Sequence, residues 1–94
     1  MIQSFKHKGL ENFFLTGSTK GIQAIHKEKL EVILTALNVG DVIANLQAPS
    51  FRLHKLKGDS KDLWSVTVQA NWRITFKYDT ETQNVFIVDY QDYH

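Results

Sequence analysis

The spacing of apolar residues changes once along the chain, from a helical period to a strand period. Over residues 22–37 apolar side chains recur every three or four positions, which predicts an amphipathic helix. A shorter helix is predicted over residues 10–15, ending at Gly17, with one further turn over residues 42–46. Residues 2–5 are predicted to form a short edge strand. The stripe of the long helix consists of Ile22, Ile25, Leu30, Ile33, Leu34 and Leu37.

From residue 51 onward the period is two. Apolar and polar residues alternate over residues 64–69 and again over residues 72–78, which predicts two half-buried strands joined by a tight turn. A second turn over residues 79–84 leads to a last strand over residues 85–90. Because the helices come first and the strands afterwards, we predict an α+β fold with two N-terminal helices packed on a mostly antiparallel sheet.

The length of the first hairpin loop decides which side chains share a face. A two-residue loop would mix the two faces, whereas a three-residue loop over residues 69–71 sets Thr67 opposite Arg73 and keeps them apart. We therefore predict the three-residue loop, with Asn71 in the left-handed conformation that asparagine tolerates well. Arg73 then lies on the polar face, opposite to the face of Trp72.

The composition predicts one domain spanning residues 1–94 that is held together by packing alone. The chain has no cysteine, so disulfides and thiolate-rich zinc sites are excluded. It shows neither a secretory h-region at its start nor an apolar run of about 20 residues, the length that a bilayer requires. We expect a soluble cytoplasmic protein with no membrane partner.

The net charge of +1 limits how this chain could meet a nucleic acid. Domains that bind nucleic acids unaided usually carry a strong basic excess. If RNA is the substrate, the basic residues must gather on one face, or another body must present the RNA.

Three upstream residues are candidates for phosphate chemistry. Arg73 is a solvated strand arginine, an arginine paired with an acid across the sheet, or a clamp that contacts phosphate bidentately. His54 and Lys57 either belong to an ordinary basic loop or supply a proton-transfer group and a positive charge beside a phosphate. Gly58, directly after Lys57, permits a sharp turn.

The chain ends on Asp92, Tyr93 and His94, directly after the last strand. The simple interpretation is a ragged polar tail. The functional one is a carboxylate, a phenol and an imidazole carried at the end of a core strand, where they can transfer protons or stack on a base. Metal binding is a weaker interpretation because the four histidines show no ligand spacing, and His7 and His26 are predicted to be surface residues.

These residue types together suit the cleavage of RNA by its own 2′-hydroxyl. That reaction needs a base for the hydroxyl, an acid for the departing 5′-oxygen and cations around the phosphorane-like transition state, and it needs no metal or other cofactor. Histidine, tyrosine and aspartate can divide the proton transfers, while Lys57 and Arg73 supply positive charge.

The order of several motifs resembles the HigB toxins of the RelE/ParE superfamily of type II toxin–antitoxin modules. The resemblance covers nearly the whole chain, including its opening residues, and is strongest in the second half. The motifs are Leu53-His54-Lys55-Leu56-Lys57-Gly58-Asp59, Trp64-Ser65-Val66-Thr67-Val68, Ala70-Asn71-Trp72-Arg73-Ile74-Thr75-Phe76 and Asp92-Tyr93-His94.

The resemblance implies a RelE/ParE-like domain that cleaves messenger RNA within translating ribosomes and is neutralised by a HigA-like helix-turn-helix antitoxin. Carried over by position, it implies catalytic roles for His54 and for the three terminal residues, Asp92, Tyr93 and His94. It also implies that Lys57 and Arg73 hold the RNA backbone.

One position departs from the family pattern, and two other functions stay open. Gln69 stands where related toxins often have a basic residue, so one phosphate contact is expected to be absent. The superfamily also contains ParE-like members that inhibit DNA gyrase without catalysis. A degenerate toxin that only binds its antitoxin is the third alternative.

Overall fold

The computed structural model describes residues 1–58 and 62–92. Its helices come first in the chain: α1 (Lys8–Thr16), a 3-10 turn (Ala24–His26), α2 (Lys27–Asn38) and α3 (Val42–Asn45). A second 3-10 turn (Pro49–Phe51) leads into the strands β1 (His54–Lys55), β2 (Leu63–Gln69), β3 (Trp72–Asp79) and β4 (Asn84–Asp92). Within these described ranges no helix has the length and apolar character that crossing a membrane requires.

The four strands form one antiparallel sheet in the order β1-β2-β3-β4. The predicted edge strand at the N-terminus is reduced to two isolated parallel bridges, from Ile2 to Val85 and from Phe5 to Val88. These bridges cover the outer edge of β4, which would otherwise expose unpaired backbone groups. The prediction of an α+β fold with helices packed on a mostly antiparallel sheet is confirmed.

Local capping interactions fix the ends of the short helices. The His7 imidazole accepts a hydrogen bond from the Leu10 amide and so caps α1, and Gly17 ends that helix at φ 80°. The Asp41 carboxylate caps α3 in the same way. The core lies between α2 and the inner face of the sheet. Its fully buried large side chains are Leu10, Leu30, Ile33, Leu37, Leu46, Ile74 and Phe76, with His26 among them.

The long helix begins later than the sequence predicts, and this shifts its buried stripe. Residues 24–26 form a 3-10 turn, so α2 starts only at Lys27. The turn leaves Ile25 73% exposed and buries His26 at 2% exposure instead. The prediction that His26 is a surface residue is therefore wrong. A close contact helps to fix this segment, because a Cβ added at Gly21 would lie 2.4 Å from the Gly9 Cα atom.

The β2–β3 hairpin reaches the predicted register by a different route. Thr67 is opposite Arg73, as predicted, but the loop has two residues and Gln69 is opposite Trp72. Val68 is an extra residue in a β-bulge, and the bulge restores the alternation that a two-residue loop alone would break. The left-handed loop residue is Ala70 at φ 51°, so the prediction of a three-residue loop is wrong.

The conformation of Ala70 predicts a stabilising substitution. An L-residue with a Cβ pays about 1–2 kcal/mol in the left-handed region, whereas glycine does not. We expect Ala70→Gly to raise the free energy of unfolding by about 0.5–1 kcal/mol after glycine's greater chain entropy is included. In a domain of this size the melting temperature should rise by about 3–6 °C, measured by circular dichroism.

The neighbouring position provides the control. Asn71 is absent from the residues with positive φ, so Asn71→Gly adds chain entropy to the unfolded state and relieves no strain. We expect it to leave the melting temperature unchanged or lower. A gain with Asn71→Gly and none with Ala70→Gly would show that the loop has the three-residue form.

Candidate active site

His54 lies in the short edge strand β1, with its side chain exposed. Its Nδ1 atom is 2.8 Å from the backbone carbonyl oxygen of Arg52. Because a carbonyl can only accept, Nδ1 carries the proton and donates it. The neutral imidazole then keeps its lone pair on Nε2, the form that can remove a proton from a substrate hydroxyl.

Arg73 is half-buried on β3, and its guanidinium is held close to the hairpin loop. One terminal nitrogen, Nη1, donates to the carbonyl oxygens of Ala70 at 2.7 Å and Trp72 at 3.3 Å. The residues opposite Arg73 on the neighbouring strands are Thr67 and Gln91, both uncharged. The register therefore places no acidic residue directly opposite Arg73, so the cross-strand ion pair that the sequence allowed is not formed by these neighbours. Among the described residues the Nε and Nη2 atoms have no hydrogen-bond acceptor, so they can donate to an anion.

His54 and Arg73 lie on the same face of the sheet, the face turned away from the helices. His54 is opposite Ser65, Ser65 is opposite Thr75, and Arg73 is two residues from Thr75 along β3. Strand spacing places the Cα atoms of His54 and Arg73 about 12 Å apart.

Small, buried hydroxyl side chains lie on this face of the sheet between His54 and Arg73. Ser65 is 1% exposed and Thr75 is 2% exposed, and the Thr75 hydroxyl accepts a hydrogen bond from the Gln91 amide at 3.1 Å. The Thr67 hydroxyl oxygen is buried and has no hydrogen-bond partner among the described residues. The floor between the imidazole and the guanidinium is thus made of small hydroxyl side chains, and the Asp89 carboxylate lies on the same face, opposite Thr75 on β4.

Lys57 lies in the exposed segment that follows β1. The next residue, Gly58, has φ 73°, a left-handed conformation that glycine adopts without strain. The Leu56 amide donates to the Leu63 carbonyl oxygen at 2.8 Å, which holds the start of this segment against β2. The backbone directly before Lys57 is therefore fixed against β2, two residues after His54.

Asp92 is the last residue of β4 and lies opposite Trp72. By the alternation of the strand, its side chain leaves the sheet on the same side as Tyr90, which is the helix side and not the side of Arg73. The structure thus brings His54 and Arg73 onto one face and places Asp92 at the end of that sheet region. Tyr93 and His94, which complete the predicted site, lie outside the described residues.

The sequence prediction missed a buried polar cluster at the same end of the sheet. The His26 ring lies 2.6 Å from the Tyr90 hydroxyl through Nδ1 and 2.9 Å from the Gln69 side-chain oxygen through Nε2. Trp72 stacks on Tyr90 with ring centroids 4.6 Å apart, and His7 contacts the Tyr90 ring edge-on. The signal in the sequence was the spacing 26, 30, 33 and 37, which continues the buried stripe of α2 back to His26 in the preceding turn.

The part of the chain that the structure describes contains no cluster of side chains that could ligate a metal ion. No three histidine or acidic side chains come together there in a way that could hold an ion. His26 is hydrogen-bonded to Tyr90 and Gln69, and His7 caps α1. His54 is hydrogen-bonded to the Arg52 carbonyl oxygen in the edge strand β1.

Comparison with known proteins identifies the family. A family model described as the RelE-like toxin of the type II toxin–antitoxin system HigB matches residues 3–94. The chain belongs to the HigB-like toxins. A curated relative, the Endoribonuclease HigB of Proteus vulgaris, is 43% identical over 94 residues, which covers the whole of both chains. Membership in a type II toxin–antitoxin family implies an antitoxin as the partner of this HigB-like toxin.

Burial of Tyr90 predicts how the stability of this HigB-like toxin depends on alkaline pH. Desolvation raises the pKa of Tyr90 above its ordinary value of 10.0, although the Gln23 amide, which donates to the hydroxyl, acts in the opposite direction. A raised pKa means that folding favours the neutral phenol. The stabilisation is therefore complete below pH 10 and is lost as the pH rises through the pKa of the folded state.

We expect Tyr90→Phe to flatten the loss of stability between about pH 9 and 11, because the variant has no phenol to ionise there. Urea unfolding at several pH values across this range measures the slope. Parallel slopes for the variant and the parent would contradict the effect of burial on Tyr90.

Proposed function

We propose that this HigB-like toxin is an endoribonuclease that cleaves messenger RNA on the ribosome and so arrests translation. The proposal rests above all on one observation: His54, with an available Nε2, shares a sheet face with Arg73 across a floor of hydroxyls. Similarity over the full length to an endoribonuclease supports the same reaction.

His54 is suited to the role of general base. Its Nδ1–H is held by the Arg52 carbonyl, which fixes the ring and leaves Nε2 to accept the proton of a 2′-hydroxyl. His94 is then our candidate for the general acid that protonates the departing 5′-oxygen. Asp92 and Tyr93 would orient or assist these transfers.

Lys57 and Arg73 would stabilise the charge that builds on the phosphate during cleavage. The Arg73 guanidinium is held by two backbone carbonyls, so little reorganisation is needed when an anion meets its remaining donors. Removing one such preorganised donor typically costs about 10²–10³ in rate. Because these side chains supply both the proton transfers and the positive charge, we expect cleavage to require no metal ion.

The near-neutral charge of the chain agrees with delivery of the RNA by the ribosome. A net charge of +1 gives little attraction for free RNA, whereas a message already bound to the ribosome needs only local contacts. A HigA-like helix-turn-helix protein is the antitoxin we propose, and the cytoplasm is the compartment in which both would act. Neither comparison supports the alternative of a non-catalytic inhibitor of DNA gyrase.

Induction in bacteria tests the site assignment. We expect the parent chain to arrest growth and His94→Ala or Arg73→Ala to relieve the arrest, each by a fall of about 10²-fold or more in cleavage rate. Lys20→Ala, which removes an exposed charge in the helical half, is the control and should remain toxic. Two folded site variants that arrest growth like the parent would show that the residues are wrongly assigned.

Mapping of RNA ends tests the reaction itself. Purified toxin, first treated with a chelator, is added in magnesium buffer either to ribosomes carrying a message or to the same message alone. We expect cleavage only on the ribosome and no loss of rate from the chelator treatment. Intact messages together with loss of gyrase supercoiling would support the gyrase alternative instead.

A further inference from the structure

The buried His26 ring links three strands at one end of the sheet. It is bonded to Gln69 at the end of β2 and to Tyr90 near the end of β4. Between them it packs edge-on against Trp72 at the start of β3, with ring centroids 5.5 Å apart. Because His26 is only 2% exposed, its ring and its bond to Tyr90 are shielded from water, whereas the bond to Gln69 is partly buried.

The chemistry of the partners fixes the direction of each hydrogen bond. The Gln69 side-chain oxygen can only accept, so His26 Nε2 donates to it. The neutral ring therefore accepts at Nδ1, and the Tyr90 hydroxyl donates to it. The Tyr90 oxygen in turn accepts from the Gln23 amide at 3.2 Å. Each polar group in this chain of bonds has a partner, and one histidine tautomer satisfies all of them.

This chain of bonds lies at the sheet end that carries the proposed site. Trp72 is opposite both Gln69 and Asp92, and it directly precedes Arg73. Tyr90 is two residues before Asp92 and lies on the same side of β4. Movement of the Tyr90 ring would therefore be transmitted to the last register positions of β4 and to the strand that bears Arg73.

We propose that His26 is a positioning residue for RNA cleavage, acting through Tyr90 and Gln69 to hold the end of β4 against the start of β3. The proposal rests on the proposed nuclease function for its kinetic consequence, although not for its structural one. His26 touches no reacting atom in this account. It fixes the strand that carries Asp92 relative to the guanidinium of Arg73.

The same geometry gives a structural role to Gln69, which stands where related toxins often have a basic residue. Its side chain turns to the helix side of the sheet and meets His26, away from the face of His54 and Arg73. Gln69 therefore acts here as the acceptor that sets the His26 tautomer, and a role in phosphate binding is not required of it.

Single-turnover cleavage of ribosome-bound message provides the kinetic test. Tyr90→Phe removes one hydroxyl but keeps the ring on Trp72, and Gln69→Leu removes the acceptor. We expect each to lower the maximal rate about tenfold or more, while the toxin concentration that gives half-maximal rate changes less than twofold. Gln69→Glu keeps an acceptor for Nε2 and should restore most of the rate.

Two controls separate positioning from a general loss of stability. Tyr78→Phe also removes a tyrosine hydroxyl from the sheet, but that hydroxyl makes no hydrogen bond within the described chain and lies at the other end of β3. Ile33→Ala opens the core under α2 and lowers the melting temperature without touching the cluster. Both should cleave at the parental rate at a temperature where all variants are folded. Equal rate losses for Ile33→Ala and Tyr90→Phe would overturn the proposal.

A structural measurement keeps the test independent of the nuclease assignment. In ¹H–¹⁵N NMR spectra, Tyr90→Phe should shift the backbone amide signals of Gln91, Asp92 and Arg73, whereas Tyr78→Phe should leave them unchanged. If the parent cleaves RNA and Tyr90→Phe neither shifts these signals nor lowers the rate, the positioning role is refuted. If the parent cleaves nothing yet the signals shift, the nuclease function fails and the structural link remains.

Discussion

The register of β3 between its two neighbours is the constraint on which the rest of this structure depends. β3 pairs with β2 on one side and with β4 on the other, so its alternation assigns side chains of three strands to one face or the other. A bulge at Val68 and a left-handed Ala70 set that alternation at the hairpin. A slip of one residue would bury the Arg73 guanidinium in the core and turn Ile74 and Phe76 to solvent.

With this register the sheet separates stability from chemistry. Its inner face packs Ile74 and Phe76 under α2, where burial supplies the main stabilisation. Its outer face carries His54 and Arg73 across small hydroxyl side chains, and we propose that the RNA backbone lies between these two residues. The buried cluster around His26 joins the two faces, because it holds from the helix side the strand ends that the outer site uses.

The sequence was sufficient for the fold class and for the face of Arg73, because both follow from periodicity. It was insufficient where tertiary packing or backbone detail decides. A bulge cannot be read from alternation alone, so the left-handed residue was assigned to Asn71, the better intrinsic candidate, and not to Ala70. His26 was predicted to lie at the surface and Ile25 on the buried stripe of one continuous helix, yet a 3-10 turn rotates Ile25 outward and His26 inward.

The proposed site, like the fold, could be predicted only in part from the sequence. Residue types and motif order propose His54, Lys57 and Arg73 as site residues, whereas the tautomer of His54 depends on a carbonyl that only the folded chain supplies. The alternation of β4 likewise puts Asp92 on the side opposite to Arg73, which motif order could not show. The roles of Tyr93 and His94 remain predictions from the sequence.

The central claim is that this toxin cuts RNA by activating the message's own 2′-hydroxyl. It is tested most directly with a ribosome-bound message that carries a single 2′-deoxynucleotide on the 5′ side of the bond that the toxin cuts in the all-RNA message. If the 2′-hydroxyl is the nucleophile, cleavage at this bond stops, and the all-RNA message yields a 2′,3′-cyclic phosphate or 3′-phosphate end. Cleavage of the deoxy-substituted bond at the unsubstituted rate would contradict it.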